Sequence, residues 1–98
     1  MEVEFDDSDL DRLETDPQFT SGYAPAIVKG YRKAMQYIRA ARDERDLYAG
    51  KSFHFEKLKG RELQRSLRLN LQWRLIVEIE DGAKGWRVRV KGIEDYHQ

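Results

Sequence analysis

Residues 74–91 read RLIVEIEDGAKGWRVRVK. Apolar and polar residues alternate on both sides of the central DGAKG, and a period of two is the pattern of a half-buried β-strand. The glycine-rich centre, Asp81 to Gly85, predicts a hairpin loop. The stretch therefore predicts two antiparallel strands that share one apolar face and one polar face.

The same alternation continues upstream. It predicts strand structure around Phe53–Glu56 and over Ser66–Leu71, with a tighter turn at Asn70–Gln72. Residues 2–5 alternate as well and predict a short first strand. The remaining strand-forming sequence therefore extends the hairpin into a small, mainly antiparallel sheet.

Helical patterns fill the first half of the chain. Asp6–Asp16 predicts a short helix with Asp7 or Ser8 as its N-cap, and Ala24-Pro25 opens a longer helix with apolar residues every three or four positions. Gly30 weakens that helix by roughly 1 kcal/mol relative to alanine, which indicates close packing at this position. The expected fold is α+β, with two N-terminal helices on one face of the sheet, and 98 residues predict one domain, residues 1–98.

Composition narrows the function. The chain has no cysteine, and its histidines, His54 and His97, lack the spacing of a zinc site, so we expect no disulfide, metal or other cofactor. No apolar run predicts a signal peptide or a membrane span, which favours a cytoplasmic protein without membrane contact.

The net charge of zero hides an asymmetry. Residues 1–16, the acidic leader, hold eight acids and one base, a charge of −7, so residues 17–98 carry +7. A basic body favours a nucleic acid partner, although scattered charge can simply keep a small domain in solution. One hypothesis is that the leader lies against the body and weakens its approach to RNA. The alternative is an exposed helix whose acids face the solvent.

Chemistry is predicted on the polar sheet face and at the chain end. The face offers Arg68, Arg74, Arg87, Arg89 and Lys91, and the preceding segment adds Lys57, Lys59, Arg61 and Arg65. Arginine binds phosphate with two parallel hydrogen bonds, although a solvated sheet face also suits it. Residues 94–97 place carboxylates, a phenol and an imidazole together. RNA supplies its own 2′-hydroxyl nucleophile, so a metal-free ribonuclease needs a base, cations for the phosphate and an acid. A terminal histidine can equally be an exposed residue without a role.

Three segments together resemble a known family. They are Leu58-Lys59-Gly60, the run SLRLNLQWRL at residues 66–75, and the ending Asp95-Tyr96-His97. The second half of the chain resembles the HigB toxins of the RelE/ParE superfamily, also called plasmid-maintenance killer proteins. The resemblance implies a microbial ribonuclease-like fold and a type II toxin that cuts messenger RNA in the ribosomal A site. It also implies a HigA-like helix-turn-helix antitoxin as partner. The toxin would then bind operator DNA only as part of a complex with this antitoxin.

The resemblance also implies site residues. The catalytic candidates are Arg74 for the phosphate and the terminal group Asp95, Tyr96 and His97. Glu56 stands where some HigB toxins have a catalytic histidine; it is a candidate base, and His54, on the same strand face by parity, is the alternative. The expected substrate-binding residues are Lys57, Lys59, Arg61, Arg68, Asn70 and Gln72.

Two other functions stay open. One is a ParE-like inhibitor of DNA gyrase that performs no chemistry. The other is a degenerate toxin that acts mainly as a corepressor with its antitoxin. Glu56 and the acidic leader are the features that favour this alternative. ParE proteins generally lack the terminal histidine cluster, so Tyr96 and His97 favour the ribonuclease.

Overall fold

The structure is a computed structural model that describes residues 1–82 and 84–95. The chain forms, in order, β1 (Glu2–Phe5), α1 (Ser8–Thr15), α2 (Pro25–Ala40), α3 (Glu44–Ala49), a 3-10 turn (Lys51–Phe53), β2 (Glu56–Leu58), β3 (Arg61–Arg68), β4 (Trp73–Gly82) and β5 (Gly85–Asp95). The sheet has the order β1-β5-β4-β3-β2. The pairs from β2 to β5 are antiparallel, whereas β1 runs parallel to β5. The α+β fold and its mainly antiparallel sheet are confirmed.

The first helix begins as its sequence indicates. Asp7 is the N-cap, and its side chain accepts a hydrogen bond of 2.8 Å from the backbone N–H of Asp9. Leu10 and Leu13, three residues apart, are the buried residues of α1. The cap therefore falls on Asp7 rather than on Ser8.

The second helix provides the centre of the core. Pro25 occupies its first turn, and its apolar stripe packs against the sheet face that carries Leu67, Leu75, Val77, Val88 and Val90. Tyr31 in this stripe is fully buried, and its hydroxyl donates a 2.7 Å hydrogen bond to the carbonyl of Leu10. Tyr31 therefore connects α1 to α2 inside the core.

Gly30 lies where α2 approaches the connection between β3 and β4. A Cβ atom at this position would be 2.6 Å from the backbone oxygen of Leu69. That distance leaves no room for a side chain, so the predicted close packing at Gly30 is confirmed.

The helical half contains one more element than predicted. After α2 ends, Asp43 caps α3 by accepting a 3.2 Å hydrogen bond from the N–H of Asp46. Leu47 of α3 is fully buried. A helix of six residues has too few turns to give a recognisable apolar stripe, so the sequence predicted only two helices.

Two strand predictions need correction. Residues 51–53 form a 3-10 turn, and His54 has a left-handed backbone with φ of 45°. The strand begins at Glu56, so His54 and Glu56 do not share a strand face, and the expectation from parity was wrong. β3 also ends at Arg68, and Leu71 in the following turn is 84% exposed. No helix in residues 1–82 or 84–95 is both long and apolar enough to cross a membrane.

Candidate functional site

The polar face of the sheet is organised in rows by the strand register. One row aligns Arg68, Arg74 and Glu94 across β3, β4 and β5. The next row aligns Glu56, Ser66, Ile76 and Gly92 across β2 to β5. Since side chains two residues apart share a face, these rows lie side by side on the surface away from the helices.

Arg74 is held between these rows. Only 6% of the residue is exposed. Its Nη1 atom lies 3.2 Å from Oε1 of Glu56 and donates a 3.3 Å hydrogen bond to Oγ of the fully buried Ser66. The Glu56 side chain is 50% exposed. The fold therefore places a fixed guanidinium group next to a carboxylate that a ligand can reach.

Arg61 contacts polar side chains of β3 and β5. Its Nη1 atom lies 3.0 Å from both carboxylate oxygens of Glu94 and donates a 3.2 Å bond to Oε1 of Gln64. Gln64 and Glu94 stand on opposite sides of the row that holds Ile76. Ile76 itself is only 3% exposed, although its row lies on the polar face.

The turn between β3 and β4 uses its polar side chains structurally. Oδ1 of Asn70 accepts hydrogen bonds from the backbone N–H groups of Gln72 at 2.8 Å and Trp73 at 2.7 Å. Nε2 of Gln72 donates a 2.8 Å bond to Oδ2 of Asp95 at the end of β5. The predicted turn is therefore confirmed, and Gln72 connects it to the predicted catalytic segment.

The other candidate residues are partly accounted for. Lys57 and Lys59 are exposed, and Arg68 is half-buried beside Arg74. Tyr96 and His97 lie outside the described residues. Lys57 aligns with Arg65, whose side chain pairs with Glu44 of α3, so strand alternation places Lys57 on the helix side of the sheet. We call the group Glu56, Lys59, Arg61, Arg68, Arg74, Glu94 and Asp95 the site end of the sheet. Within residues 1–82 and 84–95, no cluster of three or more potential ligands is arranged to hold a metal ion.

Sequence reasoning placed Glu94 in the terminal group of titratable residues without an individual role, and it gave no role to Ser66. Ser66 opens the SLRLNLQWRL run, and it shares strand parity with Arg68, which was the available signal. Glu94 precedes the terminal candidates directly, but its partner Arg61 is distant in the sequence. The sheet register brings Ser66 to Arg74, and the course of the β2–β3 hairpin brings Arg61 to Glu94.

At the opposite end of the polar face, the basic side chains of β5 form ion pairs. Arg87, Arg89 and Lys91 meet carboxylates of β4 and of the acidic leader, namely Glu78, Glu80, Glu4 and Asp6. We call these seven residues the leader end of the sheet. The five basic residues predicted on this face are therefore divided, because Arg68 and Arg74 lie at the site end.

A separate groove of about 640 Å³ follows the outer side of α2. It is lined by Thr20, Pro25, Val28, Lys29, Arg32, Lys33 and Gln36. None of the candidate site residues lines it. Arg32 there donates to the backbone oxygens of Leu13, Asp16 and Phe19, which fixes the connection between α1 and α2. The groove is thus distinct from the polar sheet face.

A solved toxin shares this architecture. The structure of the YoeB/ParE toxin from Agrobacterium tumefaciens aligns with a TM-score of 0.67 and 18% sequence identity, covering 98% of this chain and 99% of that chain. At this identity the likeness shows that the two proteins share a fold. Among the curated proteins, none matches the chain.

The family profile is more specific than the fold. The profile described as the RelE-like toxin of the type II toxin–antitoxin system HigB matches residues 3–87. The chain belongs to this family, which confirms the resemblance and implies an antitoxin partner. The matched segment includes Glu56, Ser66 and Arg74 but ends before Asp95.

Proposed function

We propose that this protein is a ribosome-dependent messenger RNA endoribonuclease that inhibits translation. The observation that carries the proposal is the contact of 3.2 Å between the buried guanidinium of Arg74 and the accessible carboxylate of Glu56. RelE-like toxins are generally endoribonucleases, which supports the same activity. We further propose that residues 1–98 act as one toxin domain and that a HigA-like helix-turn-helix antitoxin neutralises it.

The proposed reaction uses the 2′-hydroxyl of the RNA. Glu56 accepts the proton of this hydroxyl while the 2′-oxygen of the RNA attacks the adjacent phosphorus. A 2′-O–P bond forms and the P–O5′ bond breaks, which leaves a 2′,3′-cyclic phosphate. His97 donates a proton to the departing 5′-oxygen, and no metal ion takes part. General bases and acids of this kind contribute roughly 10²–10⁴-fold each.

Arg74 stabilises the charge that develops on the phosphate oxygens. Its guanidinium group is held by Glu56 and Ser66 before substrate arrives, so little reorganisation is needed during the reaction. Asp95 and Tyr96 complete the catalytic group. Lys57, Lys59, Arg61, Arg68, Asn70 and Gln72 are proposed to contact RNA, with Asn70 doing so through its amide nitrogen because its oxygen serves the turn.

The test begins with induced expression and mapping of messenger RNA 5′ ends, with and without the antitoxin. Arg74→Ala should lower single-turnover cleavage on saturating ribosomes by about 10²–10³-fold, which corresponds to roughly 2.7–4 kcal/mol. Glu56→Gln should also fold and lose cleavage, because the amide keeps the shape of the side chain but is not a base. Normal cleavage by saturated Arg74→Ala would contradict the role of Arg74.

The terminal residues have their own controls. His97→Gln and Tyr96→Phe should fold and no longer arrest growth. A folded, fully toxic His97→Gln variant would contradict the assignment of the acid. Growth arrest without new RNA ends, combined with inhibited gyrase, would instead support the ParE-like alternative. An inert toxin that still strengthens operator binding by the antitoxin would support the corepressor.

A further inference from the structure

The leader end of the sheet is an ion-pair network built from two distant parts of the chain. Parallel pairing of β1 with β5 sets Glu4 opposite Arg89. Glu4 lies 2.9 Å from Arg89 and 3.5 Å from Arg87, while Asp6 lies 2.5 Å from Lys91 and 3.4 Å from Arg89. Each of the three cations of β5 therefore contacts a carboxylate of the acidic leader.

Strand β4 supplies the remaining carboxylates. Glu80 lies 3.8 Å from both Arg87 and Arg89, and Glu78 lies 3.8 Å from Lys91. Three cations are thus surrounded by four carboxylates, and the leader end has a net charge of −1. The site end, by contrast, holds the four cations Lys59, Arg61, Arg68 and Arg74 and the three carboxylates Glu56, Glu94 and Asp95, a net charge of +1.

The charges in this network stabilise each other. The hydrogen bond from Lys91 is the largest cause that holds the pKa of Asp6 below its usual value. The hydrogen bond to Asp6 is likewise the main cause that raises the pKa values of Lys91 and Arg89. Arg89 and Lys91 consequently remain charged, and Asp6 remains an anion beside them near neutral pH.

We propose that Glu4 and Asp6 restrict the RNA-binding surface to the site end of the sheet. This inference rests on the proposed ribonuclease function and specifies which surface of the domain carries RNA. Without the two carboxylates, the cations of β5 would continue the cationic site end along the same face, and a longer RNA segment could bind. With them, a phosphate near Arg89 or Lys91 must compete with carboxylates that are fixed in position.

Other acids of the leader do not take part in this contact. Asp9 and Asp11 are exposed on α1, and the described residues give their side chains no ion pair. They provide a matched control, since Asp9→Asn with Asp11→Asn changes the net charge as much as Glu4→Gln with Asp6→Asn. The hypothesis that the acidic leader weakens RNA binding therefore now concerns Glu4 and Asp6 alone.

The experiment measures binding of a fluorescein-labelled, 2′-O-methylated oligouridine by anisotropy. This RNA lacks the 2′ nucleophile, so binding is separated from cleavage. At low salt, Glu4→Gln with Asp6→Asn should bind about threefold to tenfold more tightly than the wild type. The slope of log K against log salt should become steeper by about one, because one or two more phosphates are neutralised. Asp9→Asn with Asp11→Asn should bind like the wild type.

A four-residue variant completes the test. Adding Arg89→Gln and Lys91→Gln to Glu4→Gln and Asp6→Asn restores the net charge and should return both affinity and slope to wild-type values. Equal gains in the two acid-neutralised pairs would overturn the inference, since net charge alone would explain them. Unchanged affinity after loss of Glu4 and Asp6 would overturn it as well. Ribosomal cleavage by the wild type is measured separately. If the binding prediction fails but the wild type cleaves messenger RNA, the proposed function stands. If the wild type does not cleave, the proposed function is itself contradicted.

Discussion

Gly30→Ala tests the close approach of α2 to the connection between β3 and β4. The new methyl carbon would be 2.6 Å from the oxygen of Leu69 and 3.3 Å from both its carbonyl carbon and its Cβ atom. An ordinary van der Waals contact of a Cβ atom is 3.4–4 Å, so the contact to the oxygen is too short by about 0.8–1.4 Å. Since the oxygen belongs to the backbone, α2 or the turn must move to accommodate it.

Two opposing effects determine the result. Alanine in place of glycine should stabilise a helix by about 0.8–1.0 kcal/mol. Overfilling a packed contact typically costs about 1–3 kcal/mol. The steric effect should exceed the helical gain, so we expect the free energy of unfolding to fall by about 1 kcal/mol. In a domain of this size, that change lowers Tm by roughly 4–8 °C.

Urea and thermal unfolding give the measurement. Gln36 is exposed in the same helix, so the difference between Gln36→Ala and Gln36→Gly reports helix propensity without a new packing contact. That pair should differ by roughly 1 kcal/mol in favour of alanine. If Gly30→Ala is more stable than the wild type by the same amount, the steric argument from the close approach of α2 to Leu69 is contradicted.

Two further predictions concern single hydrogen-bonding groups. Burial is the main cause that raises the pKa of the Tyr31 phenol, so the folded state favours the neutral form and its contribution to stability is lost as pH rises above about 10. In urea unfolding, Tyr31→Phe should be less stable than the wild type by about 1–3 kcal/mol at pH 8, and this difference should shrink in alkaline solution; a constant difference would contradict the reasoning. Asn70→Ala removes the acceptor for two N–H groups and should cost about 1–2 kcal/mol, whereas Asn70→Asp keeps an acceptor and should unfold near the wild-type midpoint; equal losses in both would show that the acceptor is not what matters.

The alternation of apolar residues was sufficient to predict the central hairpin. Val77, Val88 and Val90 are fully buried on the predicted face, because a strand places every second side chain against the helices. Pattern reasoning was weaker where local geometry interrupts the period. The left-handed conformation of His54 shifts the start of β2, and no periodic pattern records such a residue.

The site was predictable by residue type and resemblance, but its contacts were not. Arg74 and Glu56 were identified as candidates, whereas the buried Ser66 between their strands received no role. A position in the sequence does not specify which neighbours surround a side chain, since that depends on strand register. The charge asymmetry left contact between leader and body as one of two hypotheses, and only the pairing of β1 with β5 distinguishes Asp6 from Asp9.

The parallel pairing of β1 with β5 also has a consequence for the order of folding. Glu4 and Arg89 are separated by 85 positions, whereas β2 to β5 follow one another through short connections. Contacts between distant segments form slowly because the intervening chain must first be ordered. During synthesis, β1 leaves the ribosome before β5, so it has no partner until β5 has emerged. The hairpins that hold Arg74 can therefore assemble before the first strand docks, and closure of this sheet edge becomes a late step in maturation.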